Sequence, residues 1–161
     1  MEDKKHLPLY GIGPAYGVTI IMLTVMGTIL SSKGFFSSGQ YDFLRIPLAI
    51  IGIILIVYGA ILWIAAVGLA KIDVNISDNC LVTAGVYAYV RNPIYSAFMI
   101  ACTGVLLCFN NLWLLILPMI YWAFMTALMK NTEEKWLKDL YGQEYIDYCE
   151  RVNRCIPWFH R

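Results

Sequence analysis

The sequence predicts an all-α, polytopic membrane protein with four transmembrane helices, the third and fourth in a tight hairpin, and a cytoplasmic amphipathic helical tail. Hydrophobic residues make up 60% of the 161 residues, charged residues make up only 14%, and the apolar residues fall into four long runs. Soluble domains carry about 25% charged residues, and a domain of this size cannot bury so much apolar surface by itself. We therefore expect residues 1–161 to form a single integral membrane domain.

The apolar runs set the order of the helices. They cover residues 10–30, 46–70, 94–109 and 112–129. The first two are close to the ~20 residues that a helix needs to cross the hydrocarbon core. Asn110-Asn111 between the last two runs is a turn signal, which predicts an antiparallel hairpin. Residues 1–70 then hold two transmembrane helices, and residues 71–161 hold a loop, the hairpin and the tail.

The placement of lysine and arginine predicts the orientation in the membrane, because cytoplasmic loops carry an excess of these residues. With a cytoplasmic N-terminus, ten of the twelve basic residues are cytoplasmic, and the opposite topology reverses this count. Both termini and the loop before the third helix are then cytoplasmic. The ten are Lys4, Lys5, Lys71, Arg91, Lys130, Lys135, Lys138, Arg151, Arg154 and Arg161, and the two on the far side are Lys33 and Arg45.

Composition and spacing argue against several kinds of site. A net charge of +1 provides no basic excess for binding nucleic acid. His6 and His160 lie at opposite ends of the chain, so we expect no catalytic histidine. The cysteines show neither zinc-ligand spacing nor a disulfide framework, and no metal site is expected. They are Cys80, Cys102, Cys108, Cys149 and Cys155.

Three glycines near the start of the chain do not form a phosphate-binding loop. Gly11, Gly13 and Gly17 lack the G-x-G-x-x-G spacing, no strand precedes them, and they lead into a membrane helix. We interpret Gly13 and Gly17 as positions where another helix approaches closely.

The segment before the third helix is the most informative part of the chain. Gly85 permits an unusual backbone angle, and Pro93 is suited to the first turn of a helix. Arg91 and Asn92 would lie at the membrane boundary, beside exposed amides that can bind an anion. From these residues alone, an alternative is an interfacial turn in which Arg91 reaches lipid phosphates and the tyrosines join an aromatic belt.

The tail after the fourth run carries a second group of polar residues. Glu133-Glu134 follows the membrane helix, where acids also occur simply as the solvated start of a helix. Apolar residues then recur at helical spacing, with Gly142 as an interruption. These residues are Trp136, Leu137, Leu140, Tyr141, Tyr145 and Tyr148.

Taken together, the loop and the tail resemble the isoprenylcysteine carboxyl methyltransferase family. Residues 81–95 contain a pattern similar to that family's G-x-Y-x-x-x-R-H-P-x-Y signature, from Gly85 to Tyr95. The tail is similar to its pattern E-E-x-x-L, F-G-x-x-Y-x-x-Y and R-x-x-P. The matching tail residues are Glu133, Glu134, Leu137, Tyr141, Gly142, Tyr145, Tyr148, Arg154 and Pro157. The resemblance covers about half of the chain, and membrane phospholipid N-methyltransferases share much of the pattern.

This resemblance implies methyl transfer from S-adenosyl-L-methionine, bound between the cytoplasmic helix ends and the tail. A carboxylate such as that of Glu133 can accept hydrogen bonds from ribose hydroxyls or an ammonium group. An aromatic face such as that of Tyr87 suits a sulfonium cation. An in-line displacement on carbon needs orientation more than acid–base groups, and no catalytic residue is assigned. The implied cofactor-binding residues are Asn79, Cys80, Leu81, Val82, Tyr87, Asn92, Pro93, Ile94, Tyr95 and Glu133.

Two positions differ from the family pattern. Asn92 stands where the family has histidine, and asparagine does not titrate near neutral pH. Met129, with Lys130 beside it, stands where the family has an arginine that contacts substrate. The implied acceptor is lipophilic and enters from the bilayer: a prenylcysteine carboxylate, a phospholipid amine or a small hydrophobic thiol. Membrane lipids are the other expected partners.

Two other classes of protein remain as alternatives. Membrane sterol reductases, which use NADPH, share a tail pattern like Tyr141-Gly142, Tyr148-Cys149 and Arg154 to Pro157. Such an enzyme needs several cations for the cofactor phosphates, and the loop offers only Lys71 and Arg91. The second alternative is a non-enzymatic membrane scaffold, which the changes at Asn92 and Met129 allow.

Overall fold

A computed structural model describes residues 12–69 and 81–157 of the chain. In these ranges the regular secondary structure is helical, apart from one isolated β-bridge, so the predicted all-α fold class is confirmed for the described residues. A π-helical turn, Ala65–Leu69, extends the second helix. The helices are α1 (Gly13–Ser32), α2 (Arg45–Ile64), α3 (Pro93–Cys108), α4 (Ile116–Asn131), α5 (Glu133–Tyr141) and α6 (Gln143–Arg151).

Among the described residues, three helical stretches are long and apolar enough to cross a membrane. They are Gly13–Ser32, Asp42–Gly68 and Leu112–Tyr141. The chain is accordingly an integral membrane protein. Helix α3 is apolar but has only 16 residues, about 24 Å at ~1.5 Å per residue, which is less than the ~30 Å hydrocarbon core. The fourth membrane crossing therefore stays a prediction.

Helix α3 contacts each of α1, α2 and α4, and its most extensive contact is with α2. Glycines permit this contact, because small residues let two helix backbones approach closely. A Cβ on Gly104 would lie 2.5 Å from the carbonyl oxygen of Gly52, and one on Gly59 would lie 2.8 Å from that of Ala97. The pairing of Gly52 with Gly104 and of Gly59 with Ala97 shows that α2 and α3 run antiparallel.

The predicted close contact of Gly13 and Gly17 is only half right. A Cβ on Gly13 would lie 3.3 Å from the hydroxyl oxygen of Tyr95, so this glycine does lie against α3. No neighbouring atom lies within 4 Å of a Cβ built on Gly17, and the prediction is wrong there. Helical spacing identified small residues, but it could not show which of them meets another helix.

The core joins α1, α3 and α4 and reaches into the tail. The ring of Tyr16 lies 5.5 Å from that of Tyr95 and 5.7 Å from that of Phe124. The hydroxyl groups of Thr24 and Tyr121 are 2.8 Å apart, which satisfies both polar groups inside the core. The buried cluster consists of Tyr16, Ile20, Tyr95, Met99, Cys102, Leu106, Leu114, Tyr121, Met125, Met129 and Cys155.

The α3–α4 turn meets the α1–α2 connection at one end of the bundle. Asn110 has a left-handed φ of 50°, and its side-chain amide donates to the Tyr41 carbonyl at 3.0 Å. Asn111 donates to the Ser31 hydroxyl at 2.9 Å and accepts from the Trp113 amide at 3.1 Å. The predicted Asn110-Asn111 turn is confirmed.

The described basic residues separate between the two ends of the bundle. Lys33 and Arg45 lie at the end that carries the α3–α4 turn, directly after α1 and at the start of α2. The loop before α3, the last turn of α4 and the residues after α4 lie at the opposite end. They carry the remaining described cations, which are Arg91, Lys130, Lys135, Lys138, Arg151 and Arg154. The charge asymmetry in the sequence thus corresponds to two physical ends of the bundle.

Gly104→Ala is expected to lower the free energy of unfolding by about 1–3 kcal/mol, the usual cost of overpacking. The added methyl group would collide with backbone, which cannot rotate away as a side chain does. Gly17→Ala, in open space on α1, is the matched control and should keep or slightly raise stability because alanine favours helix. The measurement is the apparent unfolding midpoint of the purified variants in one detergent. Equal midpoints for the two variants would contradict the α2–α3 contact.

Candidate functional site

The loop before α3 has the backbone that its sequence predicts. Gly85 opens a 3₁₀ turn with a φ of 62°, a left-handed angle that a side chain would disfavour. Helix α3 begins at Pro93 as predicted, where the missing N–H costs no hydrogen bond. This proline fixes where the loop ends and places Asn92 and Tyr95 at the amino end of α3.

Glu133 and Tyr95 meet at this end of the bundle. The Tyr95 hydroxyl donates to Oε1 of Glu133, and the backbone amide of Ile12 donates to the same oxygen at 3.1 Å. Tyr95 is 9% exposed, and Glu133 is half-buried. The carboxylate is therefore a fixed acceptor whose donors come from the amino ends of α1 and α3.

Tyr87 lies close enough to this carboxylate to sense its charge. Burial raises the pKa of the Tyr87 hydroxyl, and Tyr148 and the negative charge of Glu133 raise it further. The Tyr148 hydroxyl donates to the Tyr87 carbonyl oxygen at 2.6 Å. Tyr87 is thus a neutral, half-buried aromatic residue that interacts electrostatically with Glu133, the carboxylate that Tyr95 contacts directly.

Asn92 links the loop to the tail. Its side-chain amide donates to the Arg154 carbonyl oxygen at 3.1 Å and makes no cap to α3. The Asn92 carbonyl accepts from the Ser96 hydroxyl at 3.0 Å, and that hydroxyl also donates to the Cys155 carbonyl oxygen at 2.6 Å. The side-chain amide of Asn92 therefore joins the loop before α3 to the segment after α6.

The other predicted cofactor residues lie in the first turn of α3, at the start of the described loop, or outside the described residues. Pro93 is buried and Ile94 half-buried in the first turn of α3. Leu81 and Val82 are half-buried at the start of the described loop. Asn79 and Cys80 fall outside the described residues.

The structure does not bring the two predicted substrate residues together on one surface. Met129 is fully buried in the core cluster, whereas Lys130 is exposed in the last turn of α4. Met129 therefore belongs to the same buried cluster as Tyr95, and Lys130 lies on the exposed surface.

Sequence reasoning missed the role of Glu134. It is only 7% exposed, and the Arg154 guanidinium donates to both of its oxygens, with Nη2 at 3.0 Å from Oε2. Nη1 of Arg91 lies 3.3 Å from Oε1. The hydrogen bond to Glu134 raises the pKa of Arg154, so Arg154 stays charged. The interpretation of Glu134 as the solvated start of a helix is wrong.

The interpretation of Arg91 as a residue that reaches lipid phosphates is also wrong. Its side chain is 8% exposed, and its Nη1 donates to the Cys149 sulfur as well as pairing with Glu134. A buried charge is tolerated when it is paired and hydrogen-bonded. The sequence did contain a signal for this pairing, because the two motifs carry opposite charges in a chain that has few charged residues.

Two further features of the described residues concern what could bind to the protein. Within residues 12–69 and 81–157, no group of three or more His, Cys, Asp or Glu side chains could hold a metal ion. An apolar cavity of about 360 Å³, open to its surroundings, is lined by α2, α3, α4 and Ile156, and one of its lining residues, Met99, lies one helical turn beyond Tyr95. Its lining residues are Leu55, Met99, Ile100, Thr103, Pro118, Met119, Trp122 and Ile156.

Comparison with known proteins gives consistent matches. The sequence profile of the family described as Phospholipid methyltransferase matches residues 50–144. The chain is 36% identical over 80 residues to Protein-S-isoprenylcysteine O-methyltransferase B of Arabidopsis thaliana, covering 48% of this chain and 40% of the relative. It is 37% identical over 83 residues to Protein-S-isoprenylcysteine O-methyltransferase of Saccharomyces cerevisiae, covering 51% and 34%.

A longer match comes from Oryza sativa subsp. indica. Its Probable protein-S-isoprenylcysteine O-methyltransferase is 30% identical over 117 residues, covering 67% of this chain and 60% of the relative. The chain thus spans less than two thirds of the length of these relatives. No solved structure gives a significant match.

Proposed function

This chain belongs to the phospholipid methyltransferase family. We therefore propose that it is a membrane methyltransferase that uses S-adenosyl-L-methionine. The observation that carries the proposal is the hydrogen bond that joins Tyr95, in the first motif, to Glu133, in the tail motif, at one end of the bundle. The loop and the tail are far apart in the sequence, yet the residues they share with methyltransferase motifs converge in space.

The residues of this cluster fit the cofactor's chemistry. Glu133 is a half-buried carboxylate that already accepts two hydrogen bonds, and the ammonium and ribose hydroxyls of the cofactor are donors of the kind it takes. Tyr87 and Tyr95 supply aromatic faces, which attract a sulfonium cation. When bound, S-adenosyl-L-methionine supplies the methyl group as an electrophile.

The protein's part in this reaction is to bind, orient and exclude water. Effective orientation alone can contribute several kcal/mol to a displacement reaction, roughly 7–11 kcal/mol in the best cases. Asn92, where histidine stands in the resembling family, is engaged with the Arg154 carbonyl. We therefore assign Asn92 to the shape of the pocket and give it no role in proton transfer.

The apolar cavity supports a lipophilic acceptor that enters from the bilayer. It is lined by α2, α3 and α4, including Met99, one turn from Tyr95, so a hydrocarbon chain in it would leave a polar group near the cluster. The relatives named for isoprenylcysteine favour a prenylcysteine carboxylate. A phospholipid amine or a small thiol is the alternative within the same family. The reductase alternative loses support because Arg91, a cation it needs for phosphate, is paired with Glu134.

We also propose that α3 crosses the membrane as the third of four transmembrane helices, that α5 and α6 form the tail, and that both termini and the site face the cytoplasm. The support is that Arg91 and the basic residues after α4 share one end of the bundle, because the cytoplasmic side carries the excess of lysine and arginine.

Glu133→Gln is expected to raise the dissociation constant for S-adenosyl-L-methionine at least tenfold, about 1.4 kcal/mol. The amide keeps the shape of the carboxylate but loses its charge. Glu144→Gln, an exposed change in the first turn of α6, is the control and should bind as the parent does. Titration calorimetry in detergent is the measurement, with NADPH as a second ligand.

Each other outcome of this titration contradicts a different part of the proposal. An unchanged affinity in Glu133→Gln would remove the role of Glu133. Binding of NADPH alone would replace the methyltransferase with a reductase, and binding of neither ligand would favour a scaffold.

Methyl transfer itself can be measured with a radiolabelled methyl donor. We expect incorporation into an N-acetylated prenylcysteine, giving an ester that base hydrolyses and releases as labelled methanol. Phosphatidylethanolamine and a short-chain alkyl thiol are the comparison acceptors, and their products resist base. Label found only in a base-stable product would reject the carboxylate acceptor while retaining the methyltransferase.

Orientation can be tested with one cysteine added at each end in turn. Lys135→Cys should react with an impermeant maleimide in sealed inside-out vesicles, and Lys33→Cys should react in right-side-out vesicles, because the two exposed side chains lie at opposite ends. The parent chain, with its native cysteines, gives the background. The reverse labelling pattern would invert the topology, and labelling of both variants from one side would contradict the separation of the ends.

A further inference from the structure

The loop before α3 and the tail after α4 are held together by a cluster of charges that the proposed cofactor site does not include. Glu134 is at its centre, 7% exposed. Arg154 donates to both carboxylate oxygens, and Nη1 of Arg91 lies 3.3 Å from Oε1, which Arg154 also contacts. One carboxylate thus pairs with a guanidinium from the loop and one from the tail.

Backbone contacts place both arginines against Glu134. Val90 and Asn153 form a parallel β-bridge, and the Arg91 amide donates to the Asn153 carbonyl at 2.8 Å. Arg91 and Arg154 each follow one of the two bridged residues. Their side chains converge on Glu134 from two segments that are paired through their backbones, so the charges and the bridge form one unit.

The same unit of charges and bridge determines the direction in which the Glu133 side chain points. Glu133 and Glu134 are neighbours in the first turn of α5, where successive side chains point about 100° apart around the helix axis. When Glu134 is held by two arginines, the rotation of α5 about its axis is fixed. Glu133 is then directed toward Tyr95 and the amide of Ile12.

We propose that Glu134, Arg91 and Arg154 are positioning residues that lock the loop to α5, so that Tyr87 and Glu133 face each other across the cofactor pocket. The proposal rests on the proposed function for its ligand, and it deepens that function by assigning residues that act without touching the cofactor. The lock depends on Glu134 because its buried carboxylate pairs with two cations. Without this carboxylate the two arginine side chains would repel each other.

The first test measures cofactor affinity in folded protein. Glu134→Gln should raise the dissociation constant for S-adenosyl-L-methionine, and its KM, at least fivefold. Arg151→Gln is the matched control: this arginine is exposed and, within the described part of the chain, bonds to a backbone carbonyl of its own helix alone, and the dissociation constant of this variant should stay within twofold of the parent's. A variant that merely unfolds in part would lose kcat at an unchanged KM, and that result would overturn the proposal.

Arg154 provides a second pair of variants if Glu134→Gln does not fold. Arg154→Lys keeps the charge but loses the two-pronged hydrogen bond, whereas Arg154→Gln loses both. We expect the dissociation constant to rise least in Arg154→Lys and more in Arg154→Gln. Equal values in the parent, Arg154→Lys and Arg154→Gln would overturn the proposal.

Hydrogen exchange tests the lock without any ligand. The Arg91 amide should exchange at least tenfold faster in Glu134→Gln than in Arg151→Gln, because its bond to the Asn153 carbonyl depends on the lock. Unchanged exchange would overturn the proposal. If the parent protein binds no S-adenosyl-L-methionine while this exchange does accelerate, the proposed function fails and the lock stands.

Discussion

The close contact between α2 and α3 is the constraint on which the rest of the structure depends. Where Gly52 and Gly104 meet, the two backbones leave no room for a Cβ on either residue. This contact fixes α3 in depth and register, and α1 and α4 pack against α3 in turn. Because α3 starts at Pro93, fixing this helix also fixes the segment that ends in Arg91 and Asn92. The polar site is thus positioned by apolar packing.

Polar contacts connect α3 to the tail. Ser96, inside the first turns of α3, binds the Cys155 carbonyl, and Asn92 binds the Arg154 carbonyl. These bonds satisfy tail carbonyls that lie outside any helix, and an unsatisfied buried carbonyl is costly. The tail is therefore fastened to the amino end of α3, which is where Tyr95 reaches Glu133.

Features that depend on one residue's backbone preference were predictable from the sequence. Pro93, Gly85 and the Asn110-Asn111 turn all behave as expected, because ring closure, a missing Cβ and tolerance of positive φ act locally. Gly142, with a φ of 56° between α5 and α6, belongs to the same group. The fold class followed from composition, since a chain this apolar needs the bilayer as a solvent.

Features that depend on partners distant in the sequence were not predictable. Glu134 satisfies the local rule for an acid at a helix start whether water or two arginines surround it. Gly17 and Gly104 look alike in an apolar helix, yet only Gly104 meets a backbone. The contact of Tyr95 with Glu133 was reached through resemblance, because spacing along the chain does not state which segments meet.

Helix α1 shows that the site depends on more than the segment that matches the family. The match begins at residue 50, so α1 lies before it. Even so, the amide of Ile12 donates to Glu133, Gly13 lies against the Tyr95 hydroxyl, and the ring of Tyr16 packs on that of Tyr95. Helix α1 therefore contributes a backbone hydrogen bond to Glu133 and packs against the ring of Tyr95, which makes α1 a structural part of the site.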